Sequence, residues 1–166
     1  MLIVQPAQRP SSFRFPRMSS IGSVLTPEHN RCDELFATAE NAVAAGDWEN
    51  APACFDEFRT ATERHFQVEE EMLFPAFEMR TGSRSGPTQI MREEHRQIRD
   101  LLGRMRVDID RCDAEDYLGR AETLFTLMRQ HNIKEEQILY RLADQALAAE
   151  RDAFVARLRD FQKAHS

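Results

Sequence analysis

The segment His65-Phe-Gln-Val-Glu-Glu-Glu-Met-Leu-Phe74 returns, 66 residues further on, as His131-Asn-Ile-Lys-Glu-Glu-Gln-Ile-Leu-Tyr140. On a helix, residues i and i+4 share a face one turn apart. His65 with Glu69, and His131 with Glu135, therefore each aim an imidazole and a carboxylate at one point. The same interval of 66 separates His29 from His95 and pairs Glu28 with Glu94, Leu35 with Leu101, Glu70 with Glu136 and Leu73 with Leu139. The chain reads as two similar helical hairpins. Each supplies a histidine and, 36 residues later, a His-x-x-x-Glu pair.

The apolar spacing around these residues is helical. Thr26-Pro27-Glu28 has the chemistry of a helix start, with a capping hydroxyl, a first-turn proline and an early acid. That helix runs to about Ala45, where Gly46 stops it. A second runs from about Asn50 to Arg80, with a kink expected at Pro75. Thr81–Pro87 is a linker, a third helix covers about Thr88 to Cys112, and a fourth runs from near Asp113 to about Gln145. A short fifth helix carries Phe154, Leu158 and Phe161 on one stripe. The inward seams read Leu25, His29, Cys32, Phe36, Ala39, Val43; then Phe55, Phe58, Thr62, His65, Glu69, Met72, Ala76. The third and fourth read Met91, His95, Ile98, Leu102, Met105, Ile109; then Tyr117, Ala121, Leu124, Met128, His131, Glu135, Ile138, Leu142. Alternating steps of three and four mark the a/d seam of a bundle. Short connections make neighbours antiparallel. The expected fold is all-α: an antiparallel up-down four-helix bundle over residues 24–166, with a short C-terminal fifth helix and an irregular N-terminal arm over residues 1–23. The arm reads as packed on its own domain or as a contact in a homodimer.

Composition narrows the function classes. Of 166 residues, 42% are hydrophobic and 30% charged, which is globular. The net charge of −6 and pI near 5.4 argue against a nucleic-acid or anionic-membrane binder. No apolar run approaches the ~20 residues of a membrane span. The apolar start Met1–Val4 is too short for the core of a signal peptide, so a cytoplasmic location is expected. Cys32, Cys54 and Cys112 form no C-x-x-C and read as free thiols, with Cys32 a core filler.

Each seam is interrupted at one level by histidine, and two of them add glutamate. Unpaired carboxylates in an apolar core would cost several kcal/mol each. A pair of di- or trivalent cations removes that penalty. If each carboxylate bridges and each metal takes two imidazoles, every metal has four protein donors and room for a small ligand. Imidazole plus carboxylate suits iron or manganese, whereas structural zinc is normally closed and four-coordinate; the side chains alone leave manganese and zinc open.

This pattern resembles the hemerythrin-like, cation-binding His-His-Glu domains over about residues 24–145, including the Glu70, Leu73, Phe74 and Pro75 that follow the first motif. The resemblance implies a non-haem di-iron centre with an oxo or hydroxo bridge. His29, His65, His95 and His131 would be terminal ligands, and Glu69 and Glu135 would bridge. Oxygen-carrying members have a fifth histidine, as His-x-x-x-His on the third helix, where this chain has Arg99. The set is more similar to the bacterial four-His, two-Glu di-iron proteins of iron–sulfur repair and nitrosative stress, though without their extra cysteine-bearing domain. No general acid, nucleophile or cleft stands out, which favours a binder of O₂ or NO, or a protein that passes iron to an acceptor. An oxidase or peroxidase is one alternative and a metal-responsive interaction module another.

Other residues are expected to be bland. His165 reads as tail, and Phe74 and Tyr140 as packing. Glu70 and Glu136 are most simply solvated surface; the sharper reading makes them partners of ligating imidazoles.

Overall fold

The structure is a computed structural model that describes residues 19–164. Residues 1–18 of the expected arm, and His165, lie outside the described residues. All regular elements among the described residues are helical: α1 (Ile21–Ala44), α2 (Ala51–Val68), α3 (Phe74–Thr81), α4 (Pro87–Asp110), α5 (Ala114–Lys134), α6 (Tyr140–Ala146) and α7 (Arg151–Ala164). Two π-helical turns, Glu69–Leu73 and Glu135–Leu139, join α2 to α3 and α5 to α6.

α1 begins five residues before the expected Thr26. Ser20 caps it by accepting the Ser23 N–H at 3.0 Å, and Ser23 Oγ accepts the Ser20 N–H at 3.1 Å. Asp144 of α6 accepts the Ile21 N–H at 3.0 Å. Pro27 therefore lies inside the helix, and only its own missing N–H is lost from the ladder. Burial of Ile21, Val24 and Leu25 favours the earlier start.

α1 packs chiefly on α2, α4 on α5, and these pairs meet through α1–α5 and α2–α4. Two apolar clusters fill the interior. One joins Phe36, Phe55, Phe58, Met105, Tyr117 and Leu124. The other joins Leu25, Leu73, Phe74, Tyr140, Phe154 and Leu158, with α7 as its cover. The histidine level lies between them.

The seams hold as expected up to Glu69 and Glu135, and then change phase. In each π turn an N–H reaches back five residues, from Phe74 to Glu69 and from Tyr140 to Glu135. The extra residue rotates the downstream helix by about 100°. Leu73, Phe74 and Phe77 are buried in place of the expected Met72 and Ala76, which are only partly covered. Likewise Leu139, Tyr140 and Ala143 are buried, while the expected Ile138 and Leu142 are 52% and 39% exposed. Pro75 does not cause this break: the second turn is the same, and its equivalent of Pro75 is Arg141.

Cys32 is buried and its thiol is pushed up to about 11 by burial, as suits core filler. All three cysteines are free.

Candidate metal centre

His29 comes from α1, His65 from α2, His95 from α4 and His131 from α5; Glu69 and Glu135 open the two π turns. All six are buried, at no more than 4% exposure. Their ring nitrogens face one another in pairs. His29 Nε2 lies 3.0 Å from His65 Nε2, and His95 Nε2 lies 3.2 Å from His131 Nε2. Glu135 spans the two pairs: Oε2 is 3.1 Å from His29 Nε2, and Oε1 is 3.0 Å from His131 Nε2. Glu69 Oε2 is 3.4 Å from His95 Nε2 and 3.6 Å from His65 Nε2. Two donor groups result, sharing Glu135: Glu69, His95, His131 and Glu135, and His29, His65 and Glu135.

The outward-facing nitrogens have carboxylate partners. His29 Nδ1 pairs with Glu136 at 2.7 Å, His95 Nδ1 with Glu70 at 2.7 Å, and His131 Nδ1 with Glu94 at 3.0 Å. These contacts turn each Nε2 inward and settle which nitrogen is free to ligate. Glu70 is itself held by Arg99, whose guanidinium also grips Glu63 in two bonds of 2.8 Å. Lys134 holds Glu94. His65 Nδ1, by contrast, is buried without a hydrogen-bond partner. Glu70 and Glu136 are thus partners of the imidazoles rather than solvated surface.

The charges show what the donor set requires. Burial raises the cost of ionising the Glu135 carboxyl, but His131, His29 and His65 around it hold it well below the usual range. Burial likewise opposes protonation of the rings, yet Glu135, Glu69 and Glu70 lift His95 to about 10, and Glu135 and Glu94 lift His131 to about 9. His29 is raised in the same way, chiefly by Glu135. Burial and two neighbouring carboxylates push the Tyr140 phenol well up. Without a cation the acids can be balanced only by protonated imidazoles. Glu69 Oε2 and Glu135 Oε1, both buried, make no well-formed hydrogen bond, although His95 Nε2 and His131 Nε2 lie 3.4 and 3.0 Å from them. Orphaned carboxylate oxygens facing converging Nε2 atoms are the chemistry of a cation site, and these residues fit one.

Sequence spacing assigns Tyr140 to packing, but its hydroxyl lies inside the cluster. It donates to Glu69 Oε1 at 2.7 Å, and lies 3.2 Å from His29 Nε2 and 3.3 Å from Glu135 Oε2. A regular helix would not have turned it inward; the π turn does. Phe74, its repeat equivalent, does pack as expected, near His95 at a ring separation of 5.7 Å. Glu94 is visible in the sequence only as a repeat match to Glu28, and its role needs the packing of α4 against α5.

A family model described as the hemerythrin HHE cation binding domain matches residues 20–143. No curated protein and no solved structure matches the chain. No helix among the described residues is long and apolar enough to cross a membrane.

Proposed function

Since the chain belongs to the hemerythrin HHE cation-binding family, we propose that its buried cluster holds two iron ions and serves as a non-enzymatic binder. In this reading the centre captures a small diatomic ligand, O₂ or NO, or holds iron for an acceptor. His29, His65, His95, His131, Glu69 and Glu135 would hold the two irons. The carrying observation is the split of Glu135, one oxygen at His29 and the other at His131, 3.1 and 3.0 Å away. Iron in such a pair supplies a reversible change of oxidation state and a position for a small ligand.

The chain's own residues do the rest. Glu136, Glu70 and Glu94 orient three imidazoles, and the two apolar clusters keep bulk water from the centre. The long helices form, in this reading, an antiparallel up-down four-helix bundle, supported by the α1–α2, α4–α5, α1–α5 and α2–α4 packing. Arg99 stands where a fifth histidine would, and is committed to Glu63 and Glu70. This supports the four-His, two-Glu bacterial type over an oxygen carrier.

Metal analysis of the purified chain, with Mössbauer and optical spectra, tests the assignment. Two irons per chain in a coupled pair are expected; a single tightly held zinc would overturn it. Ligand titration of the reduced protein then separates the binder from an oxidase or peroxidase. Stoichiometric binding of O₂ or NO without multiple turnovers is the expected result.

A further inference from the structure

The two donor groups are unequal. Around His95 and His131 there are four His and Glu donors, but around His29 and His65 the only one added is Glu135, making three. The phenolic oxygen of Tyr140 sits at that poorer end. Its hydroxyl donates to Glu69 Oε1 at 2.7 Å, and lies 3.2 Å from His29 Nε2 and 3.3 Å from Glu135 Oε2, two of the three donors there. Adjacent corners of an octahedron with bonds of ~2.1 Å are ~3 Å apart. Tyr140 Oη therefore stands at the spacing of a ligand from the atoms that would be its neighbours. The hydroxyl is carried on a fully buried ring, and the equivalent place in the other half is Phe74, which has no donor atom.

We propose that Tyr140 is a further metal ligand, completing the half-site of His29, His65 and Glu135, so that the two metals are chemically distinct. This rests on the two-metal reading above. On coordination the Oη–H bond breaks and the Oη–metal bond forms. The proton leaves to solvent, and no electron is transferred.

The chain has two tyrosines, Tyr117 and Tyr140. Tyr117 lies in the other apolar cluster, among Phe55 and Leu124, so a tyrosine signal can be assigned by two variants. The full-length chain is loaded with iron and oxidised to the ferric state, and iron content and ferric state are checked by metal analysis and Mössbauer spectroscopy. Expected are a visible tyrosinate-to-iron charge-transfer band and resonance-enhanced tyrosinate ring modes, retained in Tyr117→Phe and lost in Tyr140→Phe. Tyr140→Phe copies the residue of the other half, and circular dichroism checks that it folds. Its Mössbauer spectrum should lose the difference between the two iron environments, or lose one iron. Two ferric ions with no tyrosinate signature, or a signature that survives Tyr140→Phe, would overturn the proposal while leaving the metal reading intact. Failure of the wild-type chain to take up iron would defeat both.

Discussion

The two halves of the cluster share their His and Glu residues but not their surroundings. Across the 66-residue repeat His29 matches His95, His65 matches His131 and Glu69 matches Glu135. One step out, the match ends. Arg99, which clamps Glu70 behind His95, corresponds to Asp33. Lys134, which holds Glu94 behind His131, corresponds to Val68. Accordingly, Glu70 lies at about 2, because its bonds from His95 and Arg99 outweigh burial. Asp33 is instead pushed up, chiefly by burial, with Glu136 adding to it. Phe66 stacks on His95 at 3.8 Å, and its counterpart near the other half is Asn132. The His95/His131 half is braced by cations and an aromatic ring; the His29/His65 half has a phenol and an unpartnered His65 Nδ1. The repeat keeps the six His and Glu residues that face one another, and differs in the groups packed behind them.

The largest effect is expected where the halves join. Glu135→Ala removes the group shared by both, so both metals should be lost in metal analysis. Removing one partner from buried ionic contacts costs about 3–5 kcal/mol, or about 6–20 °C in Tm for a chain of this size. Retention of both metals would break the assignment.

Metal removal should come next. In the stripped protein His95 and His131, ordinarily near 6.5, stand at about 10 and about 9. Folded values raised above unfolded ones stabilise fully below about 6.5, and that contribution is lost as pH rises through about 9–10. The stripped chain should therefore lose thermal stability between pH 7 and 10. The loaded chain needs neutral imidazoles, so loading near pH 7 should release protons and tighten as pH rises. A pH-stat titration and Tm profiles of both forms measure this; a stripped chain that gains stability toward pH 10 would contradict it.

A smaller effect separates the halves. Loss of an outer partner to a ligating histidine costs about 10–100-fold in metal affinity. Glu70→Ala should approach the upper end, because Arg99 holds that carboxylate against His95; Glu136→Ala, whose acid is the more exposed, should approach the lower. Equal losses in competitive chelator titrations would remove the asymmetry. The smallest effect is expected from Lys134→Met, which removes a half-exposed cation from Glu94 while leaving the Glu94–His131 contact in place. Affinity should change by less than Glu136→Ala changes it.

Much of this is legible in the order of residues. The six His and Glu side chains of the cluster follow from periodicity and the repeat, since i and i+4 on a helix share a face whatever surrounds it. The helix count and the linker at Thr81–Pro87 follow from spacing and from glycine and proline. The start of α1 is not legible in this way, because Thr26-Pro27 imitates a cap, while the Ser20–Ser23 cap is fixed by Ile21 and Leu25 finding a core. Ile138 and Leu142 leave the expected seam for a different reason. A π turn has no composition of its own, and a pattern extended at 3.6 residues per turn runs straight through it.

By itself, then, the sequence determined the helices, the level of the histidines and the two His-x-x-x-Glu pairs, because local spacing decides which residues share a face. Only the tertiary structure decided the two π turns, the inward swing of Tyr140 and the pairing of Glu70, Glu94 and Glu136 with particular imidazoles. Those depend on where a second helix places its atoms, and on the cost of leaving a buried carboxylate or imidazole unpaired.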